Sequence, residues 1–267
     1  MKCREIMDAL SRLAPESYAC AWDNPGLLAG RAEREVSKVL IALDATDQAV
    51  DQAVKEECHL LLTHHPLIFQ ALKKVNDQDF IGRRLIKLIQ ADISYYAMHT
   101  NFDSAPGGMA DLAAGILGLK DTSPLEVLGQ APDTGRPYGI GAWGTLEKPL
   151  TLRELALMVK ERFSLPFVNV YGASMEECIV SRAAVCPGSG KGMSEAAIAA
   201  KAQVLITGDM GHHDGIDAVA RGLAVVDGGH YGLEHVFVDF MEQYLKEQVS
   251  SQLTIIKAPV SYPVTSW

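Results

Sequence analysis

Two stretches of this chain match without a gap when one is shifted by 144 positions. The first runs Val39-Leu-Ile-Ala-Leu-Asp44, a helical segment carrying Val50 and Val54, then Leu60-Leu-Leu-Thr63. The second runs Ala183-Ala-Val-Cys186, a glycine-rich turn, a helical segment from Ser194 to Lys201, then Val204-Leu-Ile-Thr207. Each reads as strand, turn, helix, strand. Short apolar runs without polar alternation suit strands covered on both faces, so each stretch predicts a βαβ unit of a parallel sheet. Further on, each half carries another apolar strand, then a histidine and an acid four residues later: Ile93 to His99 with Asp103, and Leu223 to His230 with Glu234. The expectation is an α/β fold of two similar, interlinked units produced by internal duplication, with a dinuclear metal site at the strand ends between them. The first unit is expected over residues 1–124 and the second over 125–267, the final helix after 230 being free to pack back on the first.

Between the repeats, Tyr138 to Leu146 predicts a strand, Thr151-Leu-Arg-Glu154 a capping box opening a helix, and Phe167 to Tyr171 another strand. A last helix is expected from Leu233 to Lys246, its apolar face formed by Val236, Phe237, Phe240, Met241, Tyr244 and Leu245. The N-terminus places Ile6, Leu10 and Leu13 at helical spacing among charged residues, which is an amphipathic helix and not a leader peptide. No run reaches the roughly eighteen apolar residues of a membrane-spanning helix. The five cysteines are scattered, with no C-x-x-C pair, and point to reduced thiols in a cytoplasmic protein. A net charge of −9 argues against nucleic acid as a partner, because a phosphate-binding surface must supply clustered Lys and Arg.

The chemistry concentrates at predicted strand ends. Thr63-His64-His65-Pro66 follows directly on an apolar strand, and ligands of parallel α/β sheets bind where strands end. Side chains of neighbouring residues there diverge, so two adjacent imidazoles suit two metal ions better than one. Asp103 adds a carboxylate able to bridge cations, and His230 and Glu234 add an imidazole and a second carboxylate, Glu234 being expected in the first turn of the last helix. Three histidines and two acids form a mixed nitrogen and oxygen set that suits two divalent cations per chain of the Zn, Fe, Mn, Co or Ni kind. His99 is the candidate catalytic residue, placed to hydrogen-bond a ligand or move a proton. His59, at a helix-to-strand junction, reads as a structural residue. Gly188, Gly190 and Lys191 in Pro187-Gly-Ser-Gly-Lys-Gly192 are candidates for binding substrate phosphate, although the P-loop pattern fails and a tight turn is an equal alternative. Asp209, His212 and His213 are further substrate-facing candidates at the corresponding strand end of the second half.

Trp22-Asp-Asn-Pro-Gly-Leu27, Thr63-His-His-Pro-Leu-Ile-Phe69, His99-Thr-Asn-Phe-Asp103, Thr207-Gly-Asp209 and Gly229-His-Tyr-Gly-Leu-Glu234 occur in this order over nearly the whole chain. In this ordered set the sequence resembles the short form of the GTP cyclohydrolase I type 2 homologue family. The resemblance assigns His64, His65, Asp103, His230 and Glu234 to the positions of that family's dinuclear metal ligands. Leu233 departs from the family pattern, which often has a small polar residue there. The resemblance further implies a toroidal homohexamer and, for some members, opening of the guanine ring of GTP with release of formate. The alternatives are hydrolysis of another phosphorylated or amide substrate, and a non-enzymatic metal-binding ring or scaffold for which the Trp22 loop is a recognition element. Tyr18, Trp22, Tyr262 and Trp267 are candidate contact residues of an assembly.

Overall fold

The computed structural model describes residues 1–132, 134–172, 175–250 and 252–264, so Trp267 lies outside the described residues. The chain divides into two compact units, one of Met1–Phe102 with His235–Ser261 and one of Asp103–Glu234 with residues 262–264.

The first unit begins with α1 (Cys3–Leu13), which buries Cys3, Ile6, Ala9 and Leu10 at the helical spacing the sequence predicts. Then come β1 (Gly26–Ala29), β2 (Lys38–Ala42), α2 (Asp47–Lys55), β3 (Leu60–Thr63), α3 (Phe80–Gln90) and β4 (Ser94–Ala97). Strands β2, β3 and β4 run parallel, with Ala42 opposite Thr63 and Thr63 opposite Ala97. Every residue of β3 and β4 is buried, as strands covered on both faces require. Strand β1 closes one edge antiparallel to β4. Thr46 opens α2 by accepting a hydrogen bond from Ala49 N at 3.1 Å, and Asp79 opens α3 by accepting from Gly82 N at 2.9 Å. The division between units falls inside the short helix α4 (Thr100–Ser104).

The second unit continues with α5 (Met109–Ile116), β5 (Lys120–Gln130), β6 (Pro137–Thr151) and α6 (Leu152–Arg162). Next are β7 (Asn169–Tyr171), β8 (Ile179–Ser189), α7 (Met193–Ala199), β9 (Val204–Gly208), α8 (His212–Ala220), β10 (Ala224–Asp227) and α9 (His230–Glu234). Its sheet has the order β5-β6-β8-β9-β10-β7. Strands β8, β9 and β10 are parallel, β7 runs antiparallel to β10, and β5 and β6 form an antiparallel hairpin that joins β8. Strand β5 has no counterpart among the strands the sequence predicts: it carries few apolar residues, and pairing along β6 supplies what its composition does not signal. The capping box is present, with Glu154 N donating to Thr151 Oγ1 at 3.2 Å and Thr151 N to Glu154 Oε2 at 2.8 Å.

The chain ends in the first unit with α10 (Val236–Gln248) and β11 (Thr254–Lys257). Strand β11 pairs in parallel with β2, and Tyr244 Oη donates to Ala9 O at 2.7 Å, tying α10 to α1. The helix expected over 233–246 therefore differs from the one observed. Glu234 is the last residue of α9 and does not lie in the first turn of the long helix. Backbone hydrogen bonding restarts at His235, whose carbonyl accepts from Val238 N, because α9 and α10 pack into different cores. Within each unit an antiparallel edge strand precedes three parallel ones, β1-β4-β3-β2 in the first and β7-β10-β9-β8 in the second. No helix among the described residues is long and apolar enough to cross a membrane.

Candidate metal centre

In the first unit, three imidazoles cluster just past the ends of parallel strands. The ring centroids of His64 and His65 are 4.8 Å apart, and His99 lies 5.5 Å from His64 and 5.6 Å from His65. Each Nδ1 faces an oxygen. His64 Nδ1 donates to Met98 O at 2.6 Å, His65 Nδ1 to Asp44 Oδ1 at 2.8 Å, and His99 Nδ1 to Asp23 Oδ1 at 2.8 Å. A carbonyl or carboxylate can only accept, so the proton of the neutral ring sits on Nδ1 and the lone pair on Nε2, the tautomer that ligates a metal or takes up a proton. His64 is fully buried and its ring rests 5.2 Å from Phe237 and 6.2 Å from Phe102, which fixes its plane. The turn that carries the pair is held from below. His65 O accepts from Thr63 Oγ1 at 2.8 Å and from Tyr95 Oη at 3.0 Å, while Leu67 N donates to the same phenol oxygen at 2.7 Å. Burial pushes the Tyr95 hydroxyl up to about 12, so it stays a neutral donor.

Asp23 is the best anchored of the acids. Its Oδ1 accepts from His99 and from Asn24 N at 2.8 Å, and its Oδ2 from Thr100 N at 2.9 Å and Thr100 Oγ1 at 2.6 Å. Burial opposes its ionisation, but the bonds from His99 and Thr100 and the His99 charge outweigh burial and bring it down to about 2. His59, by contrast, is spent on structure: its Nδ1 accepts from Ser37 N at 3.2 Å.

In the second unit, His230 opens α9 with a carboxylate on each side, Asp209 Oδ2 2.9 Å from Nδ1 and Glu234 Oε2 3.1 Å from Nε2. A neutral imidazole has one N–H, so one of these edges brings a lone pair against a carboxylate unless a proton or a cation is shared there. That donor chemistry fits a divalent cation. Glu234 is only 2% exposed. Asp103 and Glu234 both bear on Cys186, whose thiol is pushed up by burial first and then by these two negative charges. Asp209 holds its place with a left-handed backbone, φ 52°, a conformation Asp tolerates better than most residues. Asp227 accepts from Met210 N at 3.0 Å and Gly229 N at 2.8 Å, pinning the two turns on either side of His230 together.

The glycine-rich turn has a packing role. Gly188, at φ +79°, lies so close to Glu234 that an added Cβ would stand 2.6 Å from Oε1, and at Gly190 a Cβ would meet Thr207 Oγ1 at 2.3 Å. Lys191 is exposed. His213 is exposed on α8 and makes its ring contact with His212.

The sequence profile of the Duf34/NIF3 (NGG1p interacting factor 3) family matches residues 1–262. The chain belongs to the Duf34/NIF3 family. A Clostridium acetobutylicum protein named GTP cyclohydrolase 1 type 2 homolog is 33% identical, the match covering 92% of this chain and 90% of that one. A Streptomyces coelicolor protein of the same name is 34% identical over 98% of this chain and 91% of its own. The crystal structure of a Staphylococcus aureus hypothetical protein superposes with a TM-score of 0.88 at 28% identity, covering 100% of this chain and 99% of that one.

Sequence reading overlooked the carboxylates behind the histidines of this Duf34/NIF3 protein. Asp23 sits inside the family motif beside Trp22, in the loop before β1, and Asp44 lies two residues beyond the end of β2; an acid in either place by itself also describes an ordinary turn. Because the ionised Asp23 is favoured by folding, its contribution to stability is complete above about pH 4 and is lost as pH falls toward 2. With a depression from 3.8 to about 2, the loss is on the order of 2 kcal/mol. Asp23→Asn should therefore flatten the fall in urea midpoint between pH 5 and pH 2, and an unchanged slope would show that Asp23 is not held as an anion.

Proposed function

We propose that this protein holds two divalent cations through His64, His65, Asp103, His230 and Glu234 and acts as a hydrolase of GTP cyclohydrolase I type. One observation carries this reading: four histidines at strand ends are each fixed through Nδ1 to an oxygen, in three cases a carboxylate, as ligand imidazoles are. The family motifs and the names of the relatives point the same way. The matching order of strands in the two units supports their origin by duplication of one α/β element.

Bound at these residues, divalent cations would supply Lewis acidity. The protein's own part is positioning and proton handling. Asp44 and Asp209 hold the rings of His65 and His230, and Asp103 and Glu234 would bring negative charge to the bound cations. His99, anchored by Asp23, presents Nε2 to take up and return a proton as the guanine ring opens and formate leaves. Metal-reconstituted protein incubated with GTP should release formate; fully loaded protein that releases none would refute the hydrolase reading and leave the metal reading standing.

Glu234→Gln keeps size and hydrogen bonding but removes the charge that offsets repulsion between the cations. Bound metal should fall from about two per chain toward one or none, since closely spaced carboxylate ligands hold such pairs. His59→Ala should leave metal content unchanged. Elemental analysis of both variants decides the assignment, and full occupancy in Glu234→Gln would overturn it. By family resemblance the assembly is a toroidal homohexamer, and light scattering at micromolar concentration should report six subunits where a monomer would exclude the ring.

A further inference from the structure

Trp22 and Phe69 are large aromatic residues left in solvent, 60% and 45% exposed. Their rings lie 5.7 Å apart and are tilted 54° to each other, and both adjoin His99, at 6.1 Å from Trp22 and 6.3 Å from Phe69 with interplanar angles of 71° in each case. His99 in turn contacts His64 and His65, so the exposed pair adjoins the histidine cluster directly. Exposing this much aromatic surface is unfavourable unless a partner covers it.

The loop that presents Trp22 is immobilised in a way a surface turn does not need. Asp23 takes four hydrogen bonds from His99, Asn24 and Thr100. Cys20 N donates to Thr100 Oγ1 at 2.9 Å on one side of Trp22, and on the other Asn24 Nδ2 donates to Ile68 O at 2.6 Å, next to Phe69. These bonds secure Cys20, Asp23 and Asn24 around Trp22 and tie them to the segment carrying Phe69 and to His99. The backbone that presents the two rings is thus set in place before any ligand arrives, and binding spends little ordering entropy on the loop.

We propose that Trp22 and Phe69 form an aromatic corner for a planar nitrogen heterocycle, a purine base or a ring of that class, Trp22 supplying the stacking face and the tilted Phe69 ring its side wall, presented to the His64, His65 and His99 cluster. This deepens the hydrolase reading and rests on it for the identity of the reacting ring. Aromatic faces bind any flat π-system and discriminate little by hydrogen bonding, so the corner accounts for ring binding and leaves the choice of base to polar groups.

Metal-loaded protein titrated with guanosine, which lacks phosphate, should bind it, whereas ribose should not bind. Stacking on one aromatic side chain typically supplies about tenfold or more in affinity, so Trp22→Ala and Phe69→Ala should each weaken guanosine by about that factor. Trp22→Phe, which keeps a flat ring, should restore most of it. Metal content and thermal midpoint, measured on the same preparations, should match the wild type, since neither side chain is a ligand and both are largely exposed. Guanosine affinity unchanged in Trp22→Ala, or no guanosine binding by the wild type, overturns the corner. Tryptophan-dependent guanosine binding without formate release from GTP supports the corner while refuting the hydrolase reading.

Discussion

The register of the parallel strands is the constraint on which everything else in this protein depends. In the first unit Ala42, Thr63 and Ala97 stand side by side, so β2, β3 and β4 end on one line. The residues that come next, Asp44, His64 with His65, and His99, are delivered to the same edge of the sheet. In the second unit Cys186, Thr207 and Asp227 align in the same way, and the chain beyond them supplies Gly188, Asp209 and His230. A slip of one residue in any strand would exchange its two packed faces and carry its ligand candidate away from the others. Continuous burial of both strand faces is what makes such a slip costly.

The second requirement is control of the imidazoles. A histidine free to rotate or to choose its tautomer offers its lone pair only part of the time, and fixing it costs side-chain entropy. Here that cost is met before any ligand binds, by acceptors placed behind the rings: Met98 O, Asp44, Asp23 and Asp209. The acids themselves need support, which Asp23 receives from backbone and hydroxyl donors. Glycine serves the same end at Gly188, where any side chain would displace the Glu234 carboxylate.

Much of this was legible in the sequence. The apolar runs at Leu60–Leu62 and Val204–Ile206 marked buried parallel strands, the 144-residue offset linked them, and histidines immediately past strand ends marked the candidate site. Those signals are local: a strand end is written in the switch from apolar to polar residues over two or three positions. Strand β5 was not legible, because an edge hairpin with mixed composition draws its stability from its partner. The break at His235 was also hidden, since the apolar positions of α10 continue the spacing of α9 without interruption.

What the sequence by itself determined is the α/β type of layer, the buried parallel strands of the two repeats and the candidate ligands that follow their ends, because side-chain chemistry and hydrophobic periodicity act over a few residues. Only the tertiary structure decided which acid supports which histidine, that α10 and β11 join the first unit's core, and that Trp22 is exposed on an anchored loop. Asp23 and His99 are 76 positions apart, and Asn24 and Ile68 are 44 apart. Pairings at such separations follow from how sheets and helices bring distant turns together, and no local pattern in the chain encodes them.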